Sequence, residues 1–377
     1  MLRKIIALFL LMTNLLVVIN AEAAIDLTPT AKSAVMIDAS SGTVLYNKNK
    51  DQKLGMASTT KIMTGILAIE NGNLNDIYTV SPTGEWVEGS SIYLNPGEKI
   101  SLETLLYGLL LKSGNDAALA IAIHIAGSEK AFVKMMNDKA LELGLKNTHF
   151  ANPHGLYAED HYTTAHELAI IASYAMKNPV FAQIVNTVQY KEEPVEERDG
   201  RVINNANKLV SMYNEAIGVK PGYTPETGRT LVGAAEKNGV KVITVTLDCS
   251  DDWQEHKNMF NYAFENFEKK VILNKGESIG TYRVKNGNYN EVGVVLTEDI
   301  SMLVKKNSAP LYEIQMESQQ ITAPIVEGQK VGSAKFCFDG GAVQEVSLVT
   351  NSDVPIRERN FLKVIWQLFL AIFGVKN

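Results

Sequence analysis

The chain has 377 residues, of which 46% are hydrophobic and 21% charged, and carries a formal net charge of −6 at neutral pH. That length accommodates two domains and a sizeable core, and the balance excludes wholesale disorder and a polytopic membrane protein. Mild acidity leaves no electrostatic footprint for nucleic acid, so partners have to be argued from individual sites.

Arg3 and Lys4 precede an apolar run from Ile5 to Ile19, followed by Ala21-Glu22-Ala23. This is the order of a secretory signal peptide, expected over residues 1–23, and it implies an exported chain. The apolar run is shorter than the ~20 residues of a membrane span. Ser33–Asp38 and Thr43–Tyr46, joined through Gly42, predict a strand hairpin. From Ser58 to about Val185 the periodicity is helical, with Ile62, Ile66 and Ile69 on one face and Leu102, Leu105, Leu106 and Leu109 on another. Ser101 and Ser128 are placed as N-caps, Thr164 with Glu167 as a capping box, and Gly144 as a C′ residue. This stretch is therefore expected to be helix and loop throughout. The acidic segment Glu192–Asp199 predicts a solvated hairpin tip.

Strand patterning returns over Ala216–Tyr223, Arg229–Ala235 and Val240–Leu247, and a helix is expected over Trp253–Phe267. With the first hairpin this gives about five antiparallel strands, flanking a helical insert, in one sheet covered by helices. After Asn274 short alternating runs separated by Gly, Asn and Pro predict a small all-β domain over residues 275–355. Cys249 and Cys337, the only cysteines, are expected as buried thiols in different domains. Residues 356–377 predict an amphipathic helix, with Asn360, Lys363 and Gln367 on a narrow polar stripe. From Phe361 to Val375 the run is about 22 Å long, short of the ~30 Å hydrocarbon core, so it is expected to lie on a membrane surface.

Three short elements carry chemistry. Ser58-Thr59-Thr60-Lys61 stands at a helix entry, which places Lys61 one turn beyond Ser58 on the same face. A serine hydroxyl attacks an amide only when its proton is removed, and a lysine kept neutral by burial or a neighbouring cation can remove it. Ser113-Gly114-Asn115 offers a hydroxyl and an amide on one interhelical loop. Lys220-Pro221-Gly222-Tyr223 lies in a strand, where Lys220 can hold a carboxylate and repel a second ammonium while Gly222 allows close backbone approach.

In this order the elements follow the set S-x-x-K, S-x-N and K-x-G of penicillin-binding proteins and class A β-lactamases. The whole mature chain resembles the low-molecular-mass penicillin-binding proteins that act as serine D-alanyl-D-alanine carboxypeptidases. The likeness extends through Lys32–Asn49 and Gly127–Leu156 to the β domain and its terminal helix. It implies a penicillin-binding serine peptidase domain over residues 24–274, of the β-lactamase and transpeptidase fold. It also implies that Ser58 is the acyl-ester nucleophile, Lys61 its general base and Ser113 a proton relay. Asn115 would orient the substrate amide, Lys220 would contact the terminal carboxylate, and the backbone N–H groups of Ser58 and Tyr223 would form the oxyanion hole. The implied partners are a peptidoglycan stem peptide ending in D-Ala-D-Ala, β-lactams as covalent inhibitors, and the outer face of the bacterial cytoplasmic membrane. No cofactor and no metal is implied.

One position departs from the pattern. Where the family usually carries threonine, Pro221 removes a hydroxyl and a backbone donor, which puts the carboxylate geometry in question. His149, His154, His161 and His166 cluster in sequence without a metal-ligand spacing. Rival readings are a β-lactamase, for which no deacylating glutamate is evident, an endopeptidase using the same residues, and a catalytically weakened wall-peptide-binding protein.

Overall fold

The computed structural model describes residues 25–81, 86–193, 200–316, 320–338 and 343–357, together with Ile365, Trp366, Phe369, Leu370 and Ile372. The expected signal peptide lies outside the described residues, as does most of the terminal helix.

Strands β1 (Ala31–Asp38) and β2 (Val44–Lys48) form the first hairpin, turned by Gly42 at φ 79°. Short pairs follow: β3 (Ile77–Thr79) with β4 (Lys99–Ser101), and β5 (Gln189–Lys191) with β6 (Val202–Asn204). The stretch before Val185 is therefore not all helix and loop, because three-residue strands are too short to leave an alternating pattern in sequence. β5 and β6 flank the acidic segment as a hairpin does, although residues 194–199 themselves are outside the described set.

Strands β7 (Ala216–Thr224), β8 (Gly228–Lys237) and β9 (Val240–Cys249) complete an antiparallel sheet in the order β2-β1-β9-β8-β7. β1, β8 and β9 bury side chains on both faces, which demands a layer on each side. Helices α1 (Lys61–Asn71), α2 (Leu102–Tyr107), α3 (Asn115–Ala126), α4 (Glu129–Glu142), α5 (Ala165–Met176) and α6 (Pro179–Asn186) contribute to the larger core on one side. After the short α7 (Leu209–Met212), α8 (Asp252–Asn266) packs Met259, Phe260 and Ala263 with Leu231 and Ala235 on the other. β7 is an edge strand, which is how the sheet tolerates Pro221.

The N-caps form as expected, since Ser101 Oγ accepts from Thr104 N at 3.1 Å and Ser128 Oγ from Ala131 N at 3.2 Å. Gly144 adopts φ 75° just beyond α4. The capping box at Thr164 is only half made. Thr164 Oγ1 accepts from Glu167 N at 3.1 Å, but the Glu167 carboxylate turns to the Lys146 and Asn147 N–H groups at 2.9–3.0 Å and to the Thr148 hydroxyl. Those donors lie in a loop that would otherwise bury unpaired amides.

The C-terminal region begins with β10 (Phe267–Leu273) directly after α8, followed by β11 (Ser278–Lys285), β12 (Glu291–Leu296) and β13 (Ile300–Lys305), the last paired with β10. This pairing runs across the boundary expected after residue 274. β14 (Tyr312–Met316), β15 (Gln320–Thr322), β16 (Lys330–Phe338) and β17 (Val343–Thr350) join β11 and β12 in a sheet ordered β14-β16-β17-β12-β11-β15. Its core is Tyr282, Val294, Leu296, Phe336 and Leu348 with their neighbours. The two regions are joined by Asp38, whose carboxylate accepts from Leu303 N at 2.9 Å. Both cysteines are free thiols, Cys249 buried and Cys337 only half-buried, because alternate residues of β16 face away from the core.

Candidate active site

Ser58 sits in a 3-10 turn (Ala57–Thr60) that runs into α1. Ala57 has φ 44°, a left-handed conformation that costs a non-glycine residue about 1–2 kcal/mol and persists only where the surroundings hold it. Met56 O accepts from the hydroxyls of Thr59 and, at 3.2 Å, of Thr230 on β8, while Ala57 O accepts from Thr60 Oγ1 at 2.7 Å. Gly155 presses against the same turn, where a Cβ would lie 2.0 Å from Ala57 O. The serine is therefore presented from a turn fixed on two sides, at the positive end of a helix dipole.

Lys61 points back along the first turn and is fully buried. Its Nζ lies 3.1 Å from Ser58 Oγ and 2.7 Å from Asn115 Oδ1, and also donates to the carbonyl of His154. Burial holds its pKa well below the ordinary lysine value, and the nearby charge of Lys220 lowers it further, against the opposing effect of Asp116. A lysine whose charged form is disfavoured in this way gives up its proton more readily than an exposed one and can take one from the hydroxyl beside it.

After α2 the chain makes one π turn (Gly108–Lys112), and Ser113 ends it in a left-handed conformation with φ 68°. This places Ser113 and Asn115 at the head of α3, which brings Asn115 to Lys61. The Asn115 amide has both ends engaged, its oxygen with Lys61 and its nitrogen with the carbonyl of Glu88. Among the described residues the hydrogen-bond partners of Lys61 Nζ are Ser58, Asn115 and His154, and Ser113 is not one of them.

β7 forms the other wall. Lys220 is fully buried and donates to Pro221 O at 3.0 Å, and burial lowers its pKa to about 7. Gly222 lies flat against the nucleophile turn, where a Cβ would sit 2.8 Å from Ser58 N and 3.1 Å from Thr59 N. No other residue fits without displacing the serine. Tyr223, the next residue, is exposed. The hydroxyls of Thr224 and Thr230 are taken by Thr227 and Met56 O, so neither replaces the hydroxyl missing at Pro221.

The seven residues singled out in the sequence thus lie on α1 and its entry turn, the head of α3 and β7, and Ser58, Lys61, Asn115, Lys220 and Gly222 come together there. Sequence reasoning missed the support around them. His161 accepts from Ala151 N on Nδ1 at 3.0 Å and meets Thr60 Oγ1 through Nε2 at 2.7 Å, which ties the 151–161 loop to the nucleophile turn. His154 supplies Lys61 with a backbone carbonyl, and its ring accepts from Leu156 N at 3.2 Å. Burial holds both rings neutral, with pKa values of about 3 for His154 and about 4 for His161. The bent Asn-Pro-His-Gly stretch was the available signal for a structured loop. Nothing in it announces that its carbonyl serves a lysine more than 90 residues earlier.

Comparison with known proteins agrees with this geometry. The family described as D-alanyl-D-alanine carboxypeptidase matches residues 18–251, and the C-terminal domain of penicillin-binding protein 5 matches residues 267–355. A D-alanyl-D-alanine carboxypeptidase of Bacillus subtilis, DacF, is 36% identical over 341 residues, covering 87% of each chain. Escherichia coli DacC, of the same description, is 30% identical, covering 91% of this chain and 88% of its own. The crystal structure of penicillin-binding protein 5 from Haemophilus influenzae superposes with a TM-score of 0.69 at 28% identity, covering 86% of this chain and 98% of that one.

Proposed function

The chain belongs to the D-alanyl-D-alanine carboxypeptidase family, and from that premise we propose that Ser58 is its acyl-enzyme nucleophile and Lys61 the base that activates it. It is a serine-type carboxypeptidase acting on D-Ala-D-Ala peptides of the cell wall, with the sensitivity to β-lactams of its family. The observation that carries the residue assignment is the buried Lys61 Nζ 3.1 Å from Ser58 Oγ, in surroundings that disfavour its charge.

The steps follow from that pair. Ser58 Oγ attacks the carbonyl of the penultimate D-alanine as its proton passes to Lys61 Nζ. The developing oxyanion is met by the N–H groups of Ser58 and Tyr223. As the peptide bond breaks, the leaving D-alanine nitrogen takes a proton relayed through Ser113, and an ester of Ser58 remains. Water then attacks the ester, giving its proton to Lys61, which passes it to Ser58 Oγ as the ester bond breaks, and the shortened peptide leaves as a carboxylic acid. Lys220 holds the terminal carboxylate of the substrate, whose charge favours its ammonium form, while Asn115 keeps Lys61 aimed at Ser58 and orients the substrate amide. Removing the hydroxyl in Ser58→Ala should abolish release of D-alanine from a diacyl-D-Ala-D-Ala peptide. Activity surviving in that variant would refute the assignment.

The terminal segment is assigned to the outer face of the cytoplasmic membrane, following export. Support comes from Ile365, Trp366, Phe369 and Ile372, which are helical and exposed. Deleting Arg357–Asn377 should release active mature protein into the soluble fraction, and continued membrane retention would count against this role.

A further inference from the structure

Asp116 follows the Ser113-Gly114-Asn115 element directly and has no part in the proton transfers above. Its carboxylate is 3% exposed, and among the described residues no basic side chain forms an ion pair with it. Its partners belong instead to a strap that passes over the head of α3. Asp116 accepts from the Ser91 hydroxyl at 2.6 Å, from Ile92 N at 3.1 Å and from Leu94 N at 3.1 Å, besides its neighbour Ala117 N at 2.9 Å. Arg201 grips the strap by its other polar groups, donating to Ile92 O and Tyr93 O at 3.3 Å, and is itself held by Glu98.

The strap reaches the reacting residues through two carbonyls. Glu88 O accepts from Asn115 Nδ2, and Ser90 O accepts from Asn115 N at 2.7 Å. Between them Gly89, at φ 93°, comes so close that a Cβ would lie 2.9 Å from Asn115 Nδ2. With the amide nitrogen committed to Glu88, the amide oxygen is the end presented to Lys61.

We propose that Asp116 is a positioning residue for this reaction: by gathering the 88–95 strap it fixes Asn115, and Asn115 holds the Lys61 amine over Ser58. The inference rests on the reading of Ser58 and Lys61 given above. It also explains why a carboxylate stands where an uncharged anchor would oppose Lys61 less. Four donors converge on its two oxygens, and an amide in its place would offer only one oxygen to accept them.

The test is the rate of acylation by a labelled penicillin between pH 5 and 9, measured on intact wild-type protein, Asp116→Asn and Ser91→Ala. Charged groups facing Lys61 are Lys220 from β7 and Asp116 from α3, while His154 and His161 from the intervening loop stay neutral across this range. An asparagine turns its NH2 toward donors that need an acceptor, so the plateau rate of Asp116→Asn should fall about tenfold or more. Its acid limb should also move to lower pH, because Lys61 loses a charge that favours its ammonium form. Ser91→Ala removes one hydrogen bond and no charge, and should lower the plateau a few-fold with its limb unmoved. A plateau within twofold of wild type together with an unmoved limb in Asp116→Asn overturns the proposal. If that variant does not fold, Ser91→Ala decides, and a wild-type rate there overturns it. Wild-type protein that takes no label at Ser58 sinks the functional reading as well, whereas a labelled wild type with indifferent variants sinks this inference alone.

Discussion

The two sheets of the molecule enclose different things. Around β11–β17 the core is apolar, and among the described residues beyond Phe267 no charged side chain is buried. Around the five-stranded sheet the fold keeps Lys61, Lys220 and Asp116 out of water within one small region. Burying a charged group is costly unless it is paired or neutralised, so a fold retains such groups where their altered proton affinity is used. The contrast separates a part that packs from a part that reacts.

Replacing Lys220 strikes hardest at that contrast. In Lys220→Gln the substrate loses a charged hydrogen bond worth about 1.5–3 kcal/mol, so kcat/KM on acid-terminated peptides should fall roughly 10- to 100-fold. Lys61 also loses the neighbour that lowers its pKa, so it holds its proton to higher pH, and the acid limb of acylation should move up. A limb that stays in place would show that Lys220 does not tune Lys61. The depressed pKa of Lys220, about 7, carries a stability signature too. Between about 7 and the ordinary lysine value near 10.5 the unfolded chain binds more protons than the folded one, so stability should rise with pH across that window. Lys220→Gln should flatten the rise.

Pro221→Thr is the next smaller effect and of opposite sign. Restoring a hydroxyl and a backbone N–H beside the expected carboxylate should raise kcat/KM by about tenfold at most. Thr224 and Thr230 are already engaged elsewhere, so neither is available to mask the gain. The gain should vanish on peptides whose terminal carboxylate is amidated, and an equal gain on both substrates would show that Pro221 does not remove a carboxylate contact.

Phe336→Ala probes the other sheet and should leave catalysis untouched. Emptying a fully buried phenylalanine of β16 should cost about 3–5 kcal/mol in stability. Below the melting transition the acylation rate should equal that of wild type. A changed rate in folded protein would mean that the C-terminal sheet acts on the site and that the division drawn here is wrong.

What the sequence revealed follows the range of the interactions involved. Ser101, Ser128 and Gly144 were legible as caps because a cap is satisfied within its own turn. Glu167 was not, because its carboxylate serves amides some twenty residues away in the 146–148 loop. Ser58, Lys61 and Lys220 were singled out by the order of three short elements and the family resemblance they carry, and the fold brings them together. Their support by the His154 carbonyl and the His161 ring depends on a loop folding back onto α1, and a backbone acceptor leaves no mark in sequence. No linker marks the passage from α8 into β10, which pairs with β13 across the expected boundary after residue 274, so composition alone gave no punctuation there.

The central claim is that Ser58 is acylated because a neutral, buried Lys61 takes its proton. Labelling wild type and Lys61→Met with penicillin and locating the adduct by peptide mass spectrometry tests it directly. The account predicts a single adduct on Ser58 and acylation slowed by about 10²–10⁴-fold in Lys61→Met, the range of a general base, in a variant that folds because methionine suits the buried site. An adduct on any other residue, or Lys61→Met acylating at the wild-type rate, would contradict it.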